Sequence, residues 1–250
     1  MKRFILFSIL IIAVLAFTGC AKSNVVIKGI SDLDGLKIGV QAGTTGEAWV
    51  QENVKDVKLS SFKAGIDAAL DLKTGSIDCV VLDELPAAAV VSKNPDLTII
   101  RCPEFASNKE EYAIAVKKGN KAVLDVVDAT IRELKANGEY EKLVAAFMPA
   151  DGKISIPELK SASLSGSIKL GTSAAFPPFE YVEGKDIVGF DITMGDFIAR
   201  KANVKLEIVN MSFDSLIPAL QAGKVDFIAS GMSVTEERKK NVDFSLPYYA

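Results

Sequence analysis

Residues 61–78 read SFKAGIDAALDLKTGSID, and residues 212–226 read SFDSLIPALQAGKVD. Both open on Ser-Phe, continue with apolar side chains at helical spacing (Ile66, Ala68, Leu70 and Ile217, Ala219, Leu220), and reach Gly-x-Ile-Asp or Gly-x-Val-Asp. That spacing describes a helix buried along one side, closed by a glycine and handed on to a strand. A strand opening on Lys37-Ile38-Gly39 precedes the first stretch, and one opening on Lys169-Leu170-Gly171 precedes the second. Any two strand–helix–strand units share some of this patterning, but the number of coincidences favours two related units. Strands alternating with helices predict an α/β fold with mainly parallel sheets.

The alternation extends along most of the chain. Strands are predicted at 36–41, 57–62, 77–82, 97–101 and 112–117, with helices at 46–54, 65–73 and 84–91. A long helix over 120–136 ends at Asn137-Gly138, a C-terminal stop signal, and a second helix covers 139–147. Residues 149–166 are rich in Ser, Pro and Gly and read as a linker. Beyond it, strands are predicted at 168–173, 204–210 and 225–230, and helices at 191–202 and 213–222.

Composition narrows the chemistry. The 250 residues are 49% hydrophobic and 24% charged, too polar for a polytopic membrane protein and too apolar for a disordered chain. There is no histidine, so Ser-His-Asp triads, Cys-His nucleophiles and histidine-ligated zinc are excluded. A formal charge of −3 gives no footprint for nucleic acid. No metal site and no cofactor motif is read in the sequence.

The first twenty residues, MKRFILFSILIIAVLAFTGC, place Lys2 and Arg3 before an apolar run of about fourteen residues, the proportions of a secretory signal. A membrane span needs about 20 apolar residues. The ending Thr18-Gly19-Cys20 resembles a bacterial lipobox, which implies a signal peptide over 1–19 and acylation of Cys20; Phe17 stands where that motif usually has Leu. An ordinary signal peptide or anchor containing a cysteine is the alternative. Of the other cysteines, Cys79 and Cys102 lie in or beside apolar strand patterns, and buried free thiols are expected over a disulfide.

Four short motifs have both a plain and a chemical reading. Gly43-Thr44-Thr45-Gly46 opens a helix after a strand; its exposed N–H groups suit an anion, or it is a simple turn. Ser233-x-x-Glu236 is a capping-box pattern placing a helix start near residue 234, with Glu236 and Lys240 spaced for an ion pair. On that helix Arg238 reads by itself as a solvated side chain. Asp83 ends the stretch CVVLD, either as a carboxylate at the ligand-binding end of a parallel sheet or as the N-cap of the next helix. Phe176-Pro177-Pro178-Phe179 reads as a turn that plugs a sheet edge.

Taken together these stretches resemble bacterial extracellular solute-binding proteins of family 3, the polar amino-acid receptors of ABC transporters. The stretches that carry the likeness are IKLGTSAAFPPFEYVEGKDIVGFDI (168–192) and SFDSLIPALQAGKVDFIASGMSVTEERKKNVDFSLPYY (212–249), and earlier LKIGVQAGTTGE, IDCVVLDELPAAA, EYAIAVKKGN and ELKANGEYEKL. The resemblance implies a two-lobed periplasmic-binding-protein-like fold (type II) with hinge strands between the lobes. It also implies a reversed order, as in a circular permutant, because the FPPFE segment precedes GVQAGTTGE in that family. The expected division is a signal peptide (1–19), an anchored N-terminus with a hinge strand at Val25–Lys28 (20–30), a smaller lobe (31–108) and a second hinge strand (109–118). Helices packing on the larger lobe (119–148), the linker (149–166) and the larger lobe (167–250) follow.

Carried over position by position, the resemblance assigns Arg238 to the ligand α-carboxylate, a bidentate task suited to guanidinium, with Thr44, Thr45 and Ser233 as supporting donors. It assigns Asp83 to the α-ammonium, Ser230 and Gly231 to further polar contacts, and Phe176 and Phe213 to a sandwich around the ligand side chain. Gln41 and Ser173 occupy specificity positions. Ser173-Ala174-Ala175 carries no acid where several relatives have Asp, so a basic ligand and a neutral one such as glutamine both remain open. The implied protein is no enzyme. It is a lipid-anchored, exported receptor that passes an amino acid to an ABC permease of the cytoplasmic membrane. Cyclohexadienyl dehydratases resemble the same fold and supply the enzymatic alternative; a non-binding rearranged remnant is the other.

Overall fold

The computed structural model describes residues 25–102, 111–150 and 152–250. The signal segment and Cys20 lie outside these residues. The first parallel sheet has the order β2–β1–β3, from β1 (Lys37–Gln41), β2 (Lys58–Phe62) and β3 (Cys79–Val80). Helices α1 (Thr45–Asn53), α2 (Gly65–Thr74) and α3 (Glu84–Ser92) connect and flank it. After β4 (Tyr112–Lys117) come α4 (Lys121–Asn137) and α5 (Glu139–Phe147), then β5 (Ser167–Thr172). The hairpin strands β6 (Ala175–Phe176), β7 (Glu180–Glu183) and β8 (Asp186–Val188) form a small antiparallel sheet leading into α6 (Phe190–Lys201). β9 (Lys205–Asn210), α7 (Leu216–Gln221), β10 (Phe227–Ile228), α8 (Glu236–Lys239) and β11 (Val242–Tyr249) complete the chain. The second large sheet has the order β11–β4–β10–β5–β9.

The echo in the sequence corresponds to one construction used twice. In each unit the first strand sits between two parallel neighbours, β1 between β2 and β3, and β5 between β9 and β10. The Asp of each Gly-x-x-Asp accepts from the N–H that starts the central strand: Asp78 Oδ2 from Lys37 at 2.8 Å, Asp226 Oδ2 from Lys169 at 2.7 Å. The glycine of each strand makes room for the apolar side chain two residues past the helix-ending glycine. A Cβ on Gly39 would stand 2.5 Å from Ile77, and one on Gly171 would stand 3.1 Å from Val225.

Local differences from expectation have clear causes. Residues 97–101 form no strand: no sheet edge receives them, and Ile100 is exposed. Val25–Lys28 likewise forms no hinge strand; Ile27 packs on the core of the first sheet and Lys28 N–H donates to Asp32. The helix expected over 213–222 divides into a 3-10 turn at Phe213–Ser215 and α7, whose first turn accommodates Pro218. The helix expected to be capped by Ser233 starts later. Residues 232–234 run beside the start of β4, through Ala113 N–H to Met232 O and Val234 N–H to Glu111 O, so Thr235 is the N-cap, accepting from Arg238 N–H. The ion pair of Glu236 is then with Lys239, one residue nearer than Lys240.

Both cysteines beyond the signal segment are free thiols, Cys102 buried and Cys79 half-buried. Burial, helped by Asp78 and Cys102, pushes the Cys79 thiol up to about 11. Among the described residues no helix is long and apolar enough to cross a membrane, and no cluster of His, Cys, Asp or Glu is set to hold a metal ion.

Candidate functional site

A cavity lies where the carboxyl ends of the central strands β1 and β5 face each other, the place where open α/β sheets bind ligands. Gln41, Thr44, Thr45 and Asp83 line it from the β1 side; Phe176, Glu180, Phe213, Ser230, Gly231, Ser233 and Arg238 line it from the β5 side. Ten of the residues named from the sequence therefore surround one space, although Gly43 and Arg238, which touch here, are 195 positions apart. Ser173 is the exception. It is buried behind the wall, where its N–H donates to Ser230 Oγ at 3.0 Å.

On the β1 side, the helix start fixes the donors. Thr44 is the N-cap of α1: its hydroxyl accepts from Glu47 N–H and donates to Gln41 O at 2.7 Å. Glu47 reaches back to Gly43 N–H at 2.7 Å, so part of the anion-binding capacity of this turn is taken up by the chain's own carboxylate. Asp83 occupies the backbone position of an N-cap for α3, yet its side chain makes no capping bond. It accepts from the Tyr112 hydroxyl of β4 instead, across the gap between the sheets. Gln41 is buried, and its side-chain oxygen has no hydrogen-bond partner among the described residues.

On the β5 side, Arg238 is half-buried rather than solvated. Its Nη1 donates to Ser233 O at 2.8 Å, its Nη2 to Gly43 O at 2.9 Å, and its guanidinium lies 5.3 Å from the Phe213 ring centre. The FPPF turn divides its labour. Phe179 is fully buried, edge-on to Tyr112 at 5.1 Å, and plugs the core, while Phe176 faces the cavity. Gly231 lies against that ring: a Cβ there would come 2.7 Å from Phe176, and its φ of 50° suits glycine.

Sequence reasoning missed four residues of this site. Glu180 lines the cavity, Tyr112 holds Asp83, and Asp191 and Tyr248 stand behind Gly231. Glu180 is the last residue of FPPFE, and a charged residue that close to an apolar turn was the available signal. The other three needed the sheet order.

Residues 168–250 match the model of bacterial extracellular solute-binding proteins, family 3. Over this region the chain is similar to that family. The arginine-binding extracellular protein ArtP of Bacillus subtilis (strain 168) is 53% identical over 91 residues, 36% of each chain. The ABC transporter arginine-binding protein 1 of Escherichia coli (strain K12) is 43% identical over 89 residues, 35% of this chain and 37% of the other. Among solved structures, holo ArgBP from T. maritima is 54% identical, with 30% of this chain and 34% of that chain covered and a TM-score of 0.30. The chain thus spans about a third of the length of the curated relatives it matches. Those relatives are named as binding proteins.

Proposed function

We propose that the chain is the receptor of an amino-acid ABC importer, closing its two lobes around a basic or polar L-amino acid. The observation that carries this reading is the placement of the cation Arg238 and the carboxylate of Asp83, from opposite sides, on the lining of a single inter-lobe cavity beside two phenylalanines. An α-amino acid at neutral pH offers the complementary carboxylate and ammonium. Arg238 takes the carboxylate with both guanidinium arms, Asp83 takes the ammonium, and Phe176 and Phe213 cover the side chain. The unpartnered oxygen of Gln41 favours a ligand side chain that carries N–H groups, such as a guanidinium or an amide. The names of the relatives put arginine first among the ligands to try.

Thermal unfolding in the presence of each of the twenty amino acids tests the reading. A cognate ligand at about 100 times its Kd adds about 2.7 kcal/mol and raises the midpoint by several degrees. No shift with any of them overturns it. Asp83→Asn is expected to weaken the cognate ligand by about 10- to 100-fold in calorimetry, because a charged acceptor for the ammonium becomes neutral. Incubation with prephenate or arogenate is expected to yield no product.

The reading includes a signal peptide over 1–19, a lipid on Cys20, and delivery to a permease. Cys20→Ser is expected to abolish labelling by radioactive palmitate in growing bacteria and to move the protein from the membrane to the soluble exported fraction. Labelling that persists would place the lipid elsewhere or remove it from the reading.

A further inference from the structure

Beneath the cavity wall lies a hydrogen-bond chain whose donors and acceptors can be followed one by one. Ser173 N–H can only donate, and it donates to Ser230 Oγ, so the Ser230 hydroxyl proton is directed to Glu180 Oε1, 2.7 Å away. From the other end, Gly231 N–H and Tyr248 O–H both donate to Asp191 Oδ2, at 2.8 and 2.7 Å. Two oxygens are left over, Glu180 Oε2 and Asp191 Oδ1; both are buried and neither has a donor among the described residues. Both residues are fully inaccessible to solvent, and because they bind the consecutive residues Ser230 and Gly231 their carboxyl groups lie close together. Two facing carboxylates would leave two charges in a dry site with no counterion, an arrangement that proteins avoid by holding a proton.

We infer that Glu180 and Asp191 share one proton, carried by Glu180 and donated to Asp191, and that this proton fixes the Ser230–Gly231 wall of the cavity. One hydrogen satisfies both leftover oxygens. It leaves Asp191 as the charged acceptor for Gly231 N–H and Tyr248 O–H, and Glu180 as the acceptor for Ser230. The pair is thus a positioning element: the two wall residues, on the loop after β10, are held by carboxyls rooted in β7 and α6. The groups facing it from the packed elements are Ser230 and Gly231, and Tyr248 of β11. Tyr112 of β4 lies beyond Tyr248, and among the described residues no lysine or arginine acts on either carboxyl. Arg238 and Asp83 stand elsewhere on the lining of the same cavity.

The titration behaviour agrees. Burial, then the neighbouring Asp191, raises Glu180 well above the ordinary carboxylate range, and burial raises Asp191 to about 6. With both folded-state values above those of the unfolded chain, the native state holds more protons than the unfolded state above about pH 4. Stability from this pair is therefore present in acid and is lost as pH rises through the folded values.

The test uses the purified full chain without ligand, so its result is independent of which amino acid, if any, the cavity binds. Infrared spectra at neutral pH are expected to show the carbonyl stretch of a protonated carboxylic acid, shifted by exchange into D2O and lost at alkaline pH. Absence of that band in the unmodified protein overturns the inference. In E180Q, whose amide can donate to Asp191 and accept from Ser230, the band is expected to vanish. The fall in melting temperature between about pH 5 and about pH 8.5 is expected to flatten. A band that survives in E180Q and disappears in D191N, or an unchanged pH slope in E180Q, also overturns it. A carboxyl with a merely structural role would move neither the band nor the slope.

Discussion

Arg238→Ala is expected to abolish amino-acid binding, with a loss of about 2–5 kcal/mol, or roughly 30- to 3,000-fold in Kd. Three contributions disappear together. The ligand carboxylate loses its charged, bidentate partner in a half-buried cavity, where an unpaired charge is costly. The Phe213 ring loses the guanidinium that lies 5.3 Å from its centre. The β5-side lobe also loses the bond to Gly43 O, one of the polar links across the gap. Arg238→Lys should recover little, because a single ammonium cannot span Ser233 O and Gly43 O while meeting a carboxylate in one plane. Isothermal calorimetry with the amino acid that most stabilises the unmodified protein is the measurement. An affinity within about threefold of the unmodified chain would remove Arg238 from the site.

Arg238 also shows how far the sequence could be read. Helical spacing, glycine stops and the two Gly-x-x-Asp endings were legible because each is a local pattern: a stripe, a left-handed turn, a carboxylate just before a strand. The paired bonds from Lys37 N–H to Asp78 and from Lys169 N–H to Asp226 are the physical content of that repetition. What was not legible depends on which chains run side by side. By itself the motif Ser233-x-x-Glu236 is a sound helix start. It fails because residues 232–234 are held against the start of β4, which delays the helix to Thr235 and turns Arg238 inward. The run at 97–101 has strand composition and no edge to join.

The same distinction separates the site residues. Those on turns after strands, such as Thr44, Asp83 and Phe176, announce themselves by position. Tyr112 and Tyr248 do not. Tyr112 lies in β4, between β11 and β10 in its sheet, and reaches Asp83 only because the two sheets face each other. Ser173 shows the converse: its position in the motif suggested the cavity, but the backbone turns it behind Ser230.

Gly189→Ala is expected to destabilise the fold by more than about 4 kcal/mol, the range in which single substitutions are exceptional. Gly189 has a φ of 137°, which side-chain-bearing residues rarely adopt. A Cβ there would stand 2.1 Å from Phe179 O, 2.6 Å from Phe179 C and 2.9 Å from Glu180 Cα. These are backbone atoms, and they cannot swing aside as a side chain can. They belong to the turn on which α6 begins, through Phe190 N–H to Pro178 O at 3.1 Å and Asp191 N–H to Phe179 O at 2.9 Å. The methyl group would wedge this junction open, expose the buried Phe179 and Phe190, and separate Glu180 from Asp191. Gly184, in the turn between β7 and β8, is the control: its φ is 63°, but nothing lies within 4 Å of its Cβ position. Gly184→Ala should lose only about 1–2 kcal/mol of backbone strain energy. Urea denaturation of both variants decides the matter. If Gly189→Ala is as mild as Gly184→Ala, the junction is not packed as described. If it is severe and the remaining folded protein has also lost its ligand, the turn that completes the core is the turn that sets the cavity wall.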